Sequence, residues 1–147
     1  MILGFTQRFP WGNNTGFQDK IIDGIKKHSF RIDSHKRWKS GIKIQFATGV
    51  RSKRYNNFSD GECKCIQHVV IEEYCLANDN HSFLFIPSNS SHIQQKKFRV
   101  IIDNRILHWT EIVKLSRNDG FDSPEDFFRW FYNGFDGFII HWTDLKY

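Results

Sequence analysis

Between Ile42 and Thr48 the chain alternates Ile42, Ile44 and Phe46 with Lys43, Gln45 and Ala47. A period of two sends successive side chains to opposite faces, so this segment predicts a strand with one face in a core. Further short strands are predicted at His28–Ile32, within the β-rich stretch Glu62–Glu73, at His81–Ile86, at Phe98–Ile102 and Arg105–Leu107, and at Gly137–Trp142. Asp103-Asn104 tolerates positive φ at both positions and predicts a two-residue hairpin turn. The basic segment Arg51–Gly61 and the polar segment Pro87–Gln95 read as loops.

Three helices complete the pattern. Residues 15–25 carry Thr15 as a candidate N-cap, Gln18 three residues on, Gly24 as a stop, and Phe17, Ile21, Ile22 and Ile25 on one face. Thr110–Ser116 predicts a short helix ending near Gly120. Ser123-Pro124 opens a third, a capping Ser followed by Pro at the first helical position, with Phe127, Phe128 and Phe131 facing inward and Trp130 at the margin. Short strands with a few helices are neither an alternating βαβ series nor a bundle, and no repeat or boundary divides the chain. The expectation is one α+β domain over residues 1–147, a mixed β-barrel of about five or six strands with peripheral helices.

A chain of 147 residues with 15 Phe, 5 Trp and 4 Tyr has ample apolar area for one core. The net charge of +5 is unevenly placed: from Lys26 to Arg54 ten bases face the single acid Asp33, a net +9 that leaves −4 for the remainder. Such a field attracts polyanions; its alternative is a solvated face on which cations cluster. No run approaches a membrane span, and Met1–Phe5 offers no basic leader, so no membrane association and a soluble, cytoplasmic protein are expected. Three cysteines, Cys63, Cys65 and Cys75, fit reduced thiols better than a disulfide framework.

Several strings, taken in order, resemble the ASCH family, the RNA-linked branch of the PUA-like fold. Phe17-Gln18-Asp19-Lys20-Ile21-Ile22-Asp23-Gly24-Ile25-Lys26-Lys27-His28-Ser29-Phe30-Arg31 is similar to that family's helix, Gly, Lys and Thr-Ile-Arg strand. Arg37-Trp38-Lys39-Ser40-Gly41 before Ile42–Phe46 resembles its Gly-introduced strand. Asn118-Asp119-Gly120-Phe121-Asp122-Ser123-Pro124-Glu125-Asp126-Phe127 resembles its acid-Gly-Phe turn before the last helix. Residues 74–97 then read as an insertion. The resemblance implies a PUA-like barrel and, from small bacterial members that deacetylate N4-acetylcytidine with a Thr, a Lys and a Glu, a candidate catalytic set of Lys26, Ser29 and Asp119. Ser29 stands where the family has Thr and Asp119 where it has Glu.

Amide hydrolysis needs a nucleophile, a base and a donor for the oxyanion, roles for Ser29, Lys26 and a nearby cation or backbone amide. Lys26 serves as base only if its pKa falls. Burial and neighbouring cations lower it while a carboxylate at Asp119 raises it, and the sequence does not rank the two. Strand parity puts Lys27, Ser29 and Arg31 on the cleft face and Phe30 in the core. Without the resemblance, Lys26 reads as a solvated helix-end cation, Ser29 as a strand hydroxyl and Asp119 as a turn residue.

Arg51, Lys53 and Arg54 with Tyr55 and Phe58 combine cations with aromatic rings, as does Trp38 between Arg37 and Lys39; such groupings neutralise phosphates while bases stack. The implied partner is a modified nucleoside or RNA, bound with or without turnover. Cys63, Cys65, Cys75, His68 and His81 do not form a recognised zinc spacing, and no metal or other cofactor is expected. His108, His141 and Trp142 read as packing residues.

Overall fold

The computed structural model describes residues 1–74 and 96–147 in full and residues 83–85 by their backbone. In chain order the elements are β1 (Ile2–Phe5), α1 (Phe17–Ile22), β2 (His28–Arg31), β3 (Lys43–Thr48), β4 (Asn56–Glu62), β5 (Cys65–Glu73), β6 (Phe83–Phe85), β7 (Lys96–Ile102), β8 (Arg105–Ile106), α2 (Trp109–Asn118), α3 (Pro124–Trp130) and β9 (Phe135–His141). The fold is α+β, but the strands form two sheets instead of a closed barrel. One sheet has the order β1-β3-β4, with β1 parallel to β3; the other runs β2-β9-β5-β7-β6, with β8 on β7.

The gap in the expected barrel lies where β1 faces β2. Among the described residues no strand ladder joins these two. The Arg31 guanidinium spans them instead, donating to the Phe30 carbonyl and to the Gly4 carbonyl, each at 2.7 Å. At the other end the sheets are joined by the chain itself. The stretch read as one β-run, Glu62–Glu73, turns at Cys63–Lys64, where the Cys63 amide still bonds Ile42 of the first sheet's side and the Lys64 amide bonds His141 of the second.

One apolar cluster fills the space between the sheets and under α2 and α3, from Leu3, Ile44 and Phe46 through Val69, Ile71, Val100 and Ile102 to Ile112, Leu115, Phe127, Phe128 and Ile139. Phe30, Ile44 and Phe46 are buried as their alternation predicts, whereas Ile42 is half-buried. A bulge between Phe46 and Ala47 breaks the alternation, so Phe46, Ala47 and Thr48 are all buried. Asp103 and Asn104 have φ of 48° and 67°, the conformation a tight β7–β8 turn demands.

Helix α1 departs most from its expected form. Gly16 in the left-handed region takes the N-cap place with no side-chain cap bond, and Thr15 Oγ1 donates to the Thr6 carbonyl. Only Phe17 and Ile21 are buried; Ile22 and Ile25 are exposed, because six residues give too short a stripe to bury four. The Ser123 cap at α3 forms as expected, accepting from the Asp126 amide at 3.1 Å. Within the segment read as an insertion, only β6 and Lys96–Lys97 beyond Tyr74 are described; Cys75, His81 and residues 87–95 lie outside the described residues.

Candidate functional site

The gap between β1 and β2 is a cavity of about 240 Å³. Its walls are Phe5, Phe17, Phe30, Phe121, Trp130 and Phe131, and its polar lining includes Lys26, Ser29, Arg31 and Asp119. The volume falls just below the roughly 300–1,000 Å³ usual for drug-sized ligands, which suits a small ring system. Sequence-distant segments meet here because α2 ends against the turn after α1: the Lys27 amide donates to Asn118 O at 2.7 Å, and Lys20 Nζ donates to Gly120 O at 2.8 Å and to Asp122 at 2.7 Å.

Asp119 is the C-cap of α2, and Gly120 follows at φ 88°. A Cβ on Gly120 would lie 3.0 Å from Lys26 Cδ and 3.1 Å from Phe17. Glycine is thus required there both for the left-handed turn and for the close passage of the lysine stem. Lys26 is 1 % exposed and reaches back across this turn. Its Nζ donates to Asp119 Oδ1 at 2.6 Å and to the Asp119 carbonyl, one of the carbonyls a helix end leaves without an intrahelical partner. The same Nζ sits 4.5 Å from the centre of the Phe17 ring.

Here the structure ranks the two opposing influences on Lys26. Burial is the larger: it brings the lysine from its ordinary 10.5 down to about 8 despite the Asp119 carboxylate, with Arg31 and Lys20 pushing in the same direction as burial. A lysine has three N–H donors when charged, and Asp119 takes two. No hydrogen bond joins Lys26 to Ser29, whose hydroxyl has no partner among the described residues and lines the cavity. Asp119 Oδ2 likewise has none, which leaves it as an acceptor for whatever enters.

Behind Asp119 lies a second layer that the sequence reading passed over, in which His28 and His141 are buried and Tyr147 and Asn118 half-buried. His28 Nε2 is 2.7 Å from the Tyr147 hydroxyl, which in turn accepts from Asn118 Nδ2 at 3.0 Å. An amide nitrogen only donates, so the hydroxyl accepts from Asn118, and the tautomer of His28 sets whether it donates to Nε2 or accepts from it. His28 Nδ1 has no hydrogen-bond partner among the described residues but lies 3.5 Å from Asp119 Oδ1, and the carboxylate's charge favours the tautomer with the proton on Nδ1, in which the Tyr147 hydroxyl donates to Nε2. Burial holds His28 below its ordinary pKa and His141 at about 3, so both rings are neutral. His141, expected as a packing residue, is fully buried beside His28 with neither ring nitrogen bonded among the described residues.

No family model, curated protein or solved structure matches this chain.

The cavity therefore stands on its own geometry. It brings together Lys26, Ser29, Arg31 and Asp119, the residues the sequence placed in one cleft, while Lys27 is half-buried and does not line it. Arg31 lines it with its terminal nitrogens committed to backbone carbonyls, so it acts as a brace as well as a local positive charge. Trp38 is withdrawn from the ligand-contacting set. The Asp33 carboxylate accepts from the Arg37 amide at 3.0 Å and the Trp38 amide at 2.8 Å, and Trp38 is only 6 % exposed within the core. Arg37 and Lys39 stay exposed on that turn, away from the cavity.

Phe58 stands on a strand instead of a loop. The segment expected as a loop to Gly61 becomes strand β4 from Asn56, and Phe58 stands half-buried on it against Phe5 and Phe46. Arg51, Lys53, Arg54 and Tyr55 remain exposed on the turn between β3 and β4. Cys63 is buried, with its thiol pushed up to about 11 by burial, and no group of three or more His, Cys, Asp or Glu side chains converges on a metal position among the described residues. No described helix is long and apolar enough to cross a membrane. The residues missed from the sequence were the cavity's aromatic walls and the His28–Tyr147 layer; the Phe and Trp content signalled a core but not which rings would face a void.

Proposed function

We propose that the chain is an ASCH-type domain of the PUA-like group whose cavity binds a nucleoside and hydrolyses the acyl amide of N4-acetylcytidine. The observation that carries this reading is Lys26, buried at the cavity with its pKa brought to about 8 while held by Asp119, with the unpartnered Ser29 hydroxyl lining the same space. Aromatic walls accept a flat base on its faces, and the free Asp119 oxygen accepts an N–H from the exocyclic nitrogen.

In this mechanism neutral Lys26 takes the proton of Ser29 Oγ as the oxygen attacks the acyl carbon. The C–N bond breaks, the proton passes from Lys26 to the departing N4, and cytidine leaves with its amine restored. Water then adds to the acyl-serine, Lys26 again serving as base, and acetate is released. Asp119 keeps the ammonium form in place between the two transfers. Arg31, 5.4 Å from the Phe5 ring centre, adds positive potential beside the developing oxyanion.

Chromatography of N4-acetylcytidine incubated with the purified protein tests this. Cytidine should accumulate, the rate should vanish in Lys26→Ala, and it should fall nearly as far in Ser29→Ala, since groups acting as a unit are non-additive. Folded protein that releases no cytidine between pH 7 and pH 9 counts against hydrolysis. A second reading, a non-catalytic RNA-binding module, is favoured by the exposed Arg51, Lys53, Arg54 and Tyr55; it predicts binding of short RNA that weakens steeply with salt and no turnover.

A further inference from the structure

We infer that the cavity continues into a phosphoryl subsite formed by Arg8 and Arg54, so that the ligand class is a cytidine carrying a 5′-phosphoryl group and not the bare nucleoside. This rests on the base-binding reading of the cavity. A second, wider hollow of about 610 Å³ lies beside the first and shares Gly4, Phe5 and Thr6 with it, so the end of β1 forms a common wall. Its other lining residues include Arg8 and Arg54, and no acidic residue lines it.

Both arginines are exposed, and neither pairs with an acid among the described residues. Arg8 makes one side-chain bond, at 3.2 Å to the Gly12 carbonyl, which leaves most of its donors open; the Arg54 guanidinium makes none. Cations that gain nothing from the protein's own acids are poised for an anion from outside, and a planar guanidinium fork matches phosphate oxygens.

The backbone is shaped to bring these groups together. Gly4 passes so close to the β3–β4 turn that a Cβ there would meet Val50 Cγ2 at 2.8 Å. Gly49, at φ 62°, lies where a Cβ would stand 2.3 Å from the Arg54 carbonyl. Two glycines thus let the turn carrying Arg54 fold tightly on itself and onto β1, beside the mouth of the aromatic cavity. A base held among Phe17, Phe121 and Trp130 would leave its ribose and 5′ substituent to exit past Gly4–Thr6 toward both guanidinium groups.

Calorimetric titration separates this from the reading on which it depends. N4-acetylcytidine, its 5′-monophosphate, and a trinucleotide with N4-acetylcytidine at its centre are compared at low salt in a Ser29→Ala background, so that no acyl group is lost during titration, with the otherwise unchanged protein, Arg54→Ala and the Arg8→Lys/Arg54→Ala double variant. At least one phosphorylated ligand should bind tenfold or more tighter than the nucleoside, and the advantage should shrink in salt and largely disappear in Arg54→Ala. Because the Arg54 side chain makes no hydrogen bond or ion pair among the described residues, that variant keeps its fold, which thermal melting checks. Preference for the monophosphate identifies a free nucleotide as the source, and preference for the trinucleotide alone identifies a strand. Equal affinity for all three ligands, or an advantage that survives Arg54→Ala and the double variant, overturns the subsite while leaving the cavity reading intact. Binding of none of them overturns both.

Discussion

Removing either member of the Lys26–Asp119 pair should cost far more than removing both. Each is nearly inaccessible, at 1 % and 4 % exposure, and they meet at 2.6 Å. Lys26→Met strands a buried carboxylate whose remaining neighbour on Oδ1 is neutral His28, and an uncompensated buried charge costs about 3–5 kcal/mol. Against a total of about 5–15 kcal/mol for a domain, that is a large fraction. It corresponds to a fall of roughly 6–20 °C in melting temperature for a chain near this size.

Asp119→Leu should cost less at neutral pH. With the carboxylate gone, the influence that raises the lysine pKa is removed, Lys26 falls below about 8 and sheds its proton. That relief vanishes in acid, where the lysine is protonated in the unfolded chain but neutral in the folded one, so the variant should lose stability as pH falls. The Lys26→Met/Asp119→Leu double variant replaces two ions by apolar groups against Phe5 and Phe17, and should lie within about 2 kcal/mol of wild type. Urea denaturation of the four proteins at pH 6 and pH 8 yields the cycle. Simple additivity, with no coupling at either pH, would refute the claim that these two side chains stabilise one another.

Between pH 8 and about 10.5 the stability of wild type should gain roughly 3 kcal/mol relative to Lys26→Met, because Lys26 deprotonates earlier in the folded chain than in the unfolded one; the difference between the two proteins is the readout, since the raised Cys63 thiol lowers the stability of both over this range. Turnover of N4-acetylcytidine should increase through pH 8 for the same reason, neutral lysine being the base; a rate independent of pH from 6 to 9 would contradict that role. Tyr147→Phe removes the partner of His28 Nε2 while Asp119 still faces Nδ1, so nitrogen NMR of the imidazole should show the proton on Nδ1 in both proteins and the Nε2 signal moving toward that of an unbonded acceptor; a proton on Nε2 in wild type would refute the assigned hydrogen-bond directions. Gly120→Ala should destabilise by more than about 1 kcal/mol, since it meets both an unfavourable φ and the Lys26 stem; a neutral effect in thermal melts would mean that the turn relaxes freely.

What could be read from the residues was local. The Asp103-Asn104 turn, the Ser123 cap and the burial of Phe30, Ile44 and Phe46 depend on near neighbours in sequence, and those signals are strong. The separation into two sheets was not legible, because it depends on the Arg31 side chain reaching Gly4 where a ladder would otherwise run. Charges flanking Trp38 suggested exposure, but Asp33 binds the two backbone amides of that turn and the ring enters the core.

The site shows the same division. A helix-end lysine, a strand hydroxyl and a turn acid could be named as a set. The sign of the lysine shift could not be, since it depends on Phe5 and Phe17 being folded over Nζ from other segments. The His28–Tyr147 contact spans 119 residues, and no periodicity reports a pairing of that kind.

The central claim is that a flat base enters among the aromatic rings beside Lys26 and Asp119. An NMR titration with N4-acetylcytidine, followed through the side-chain signals of Phe17, Phe121 and Trp130, tests it most directly. Saturable shifts at these three rings, abolished in Lys26→Ala, are the predicted result. Shifts confined to residues 51–55, or none at millimolar ligand, would contradict it.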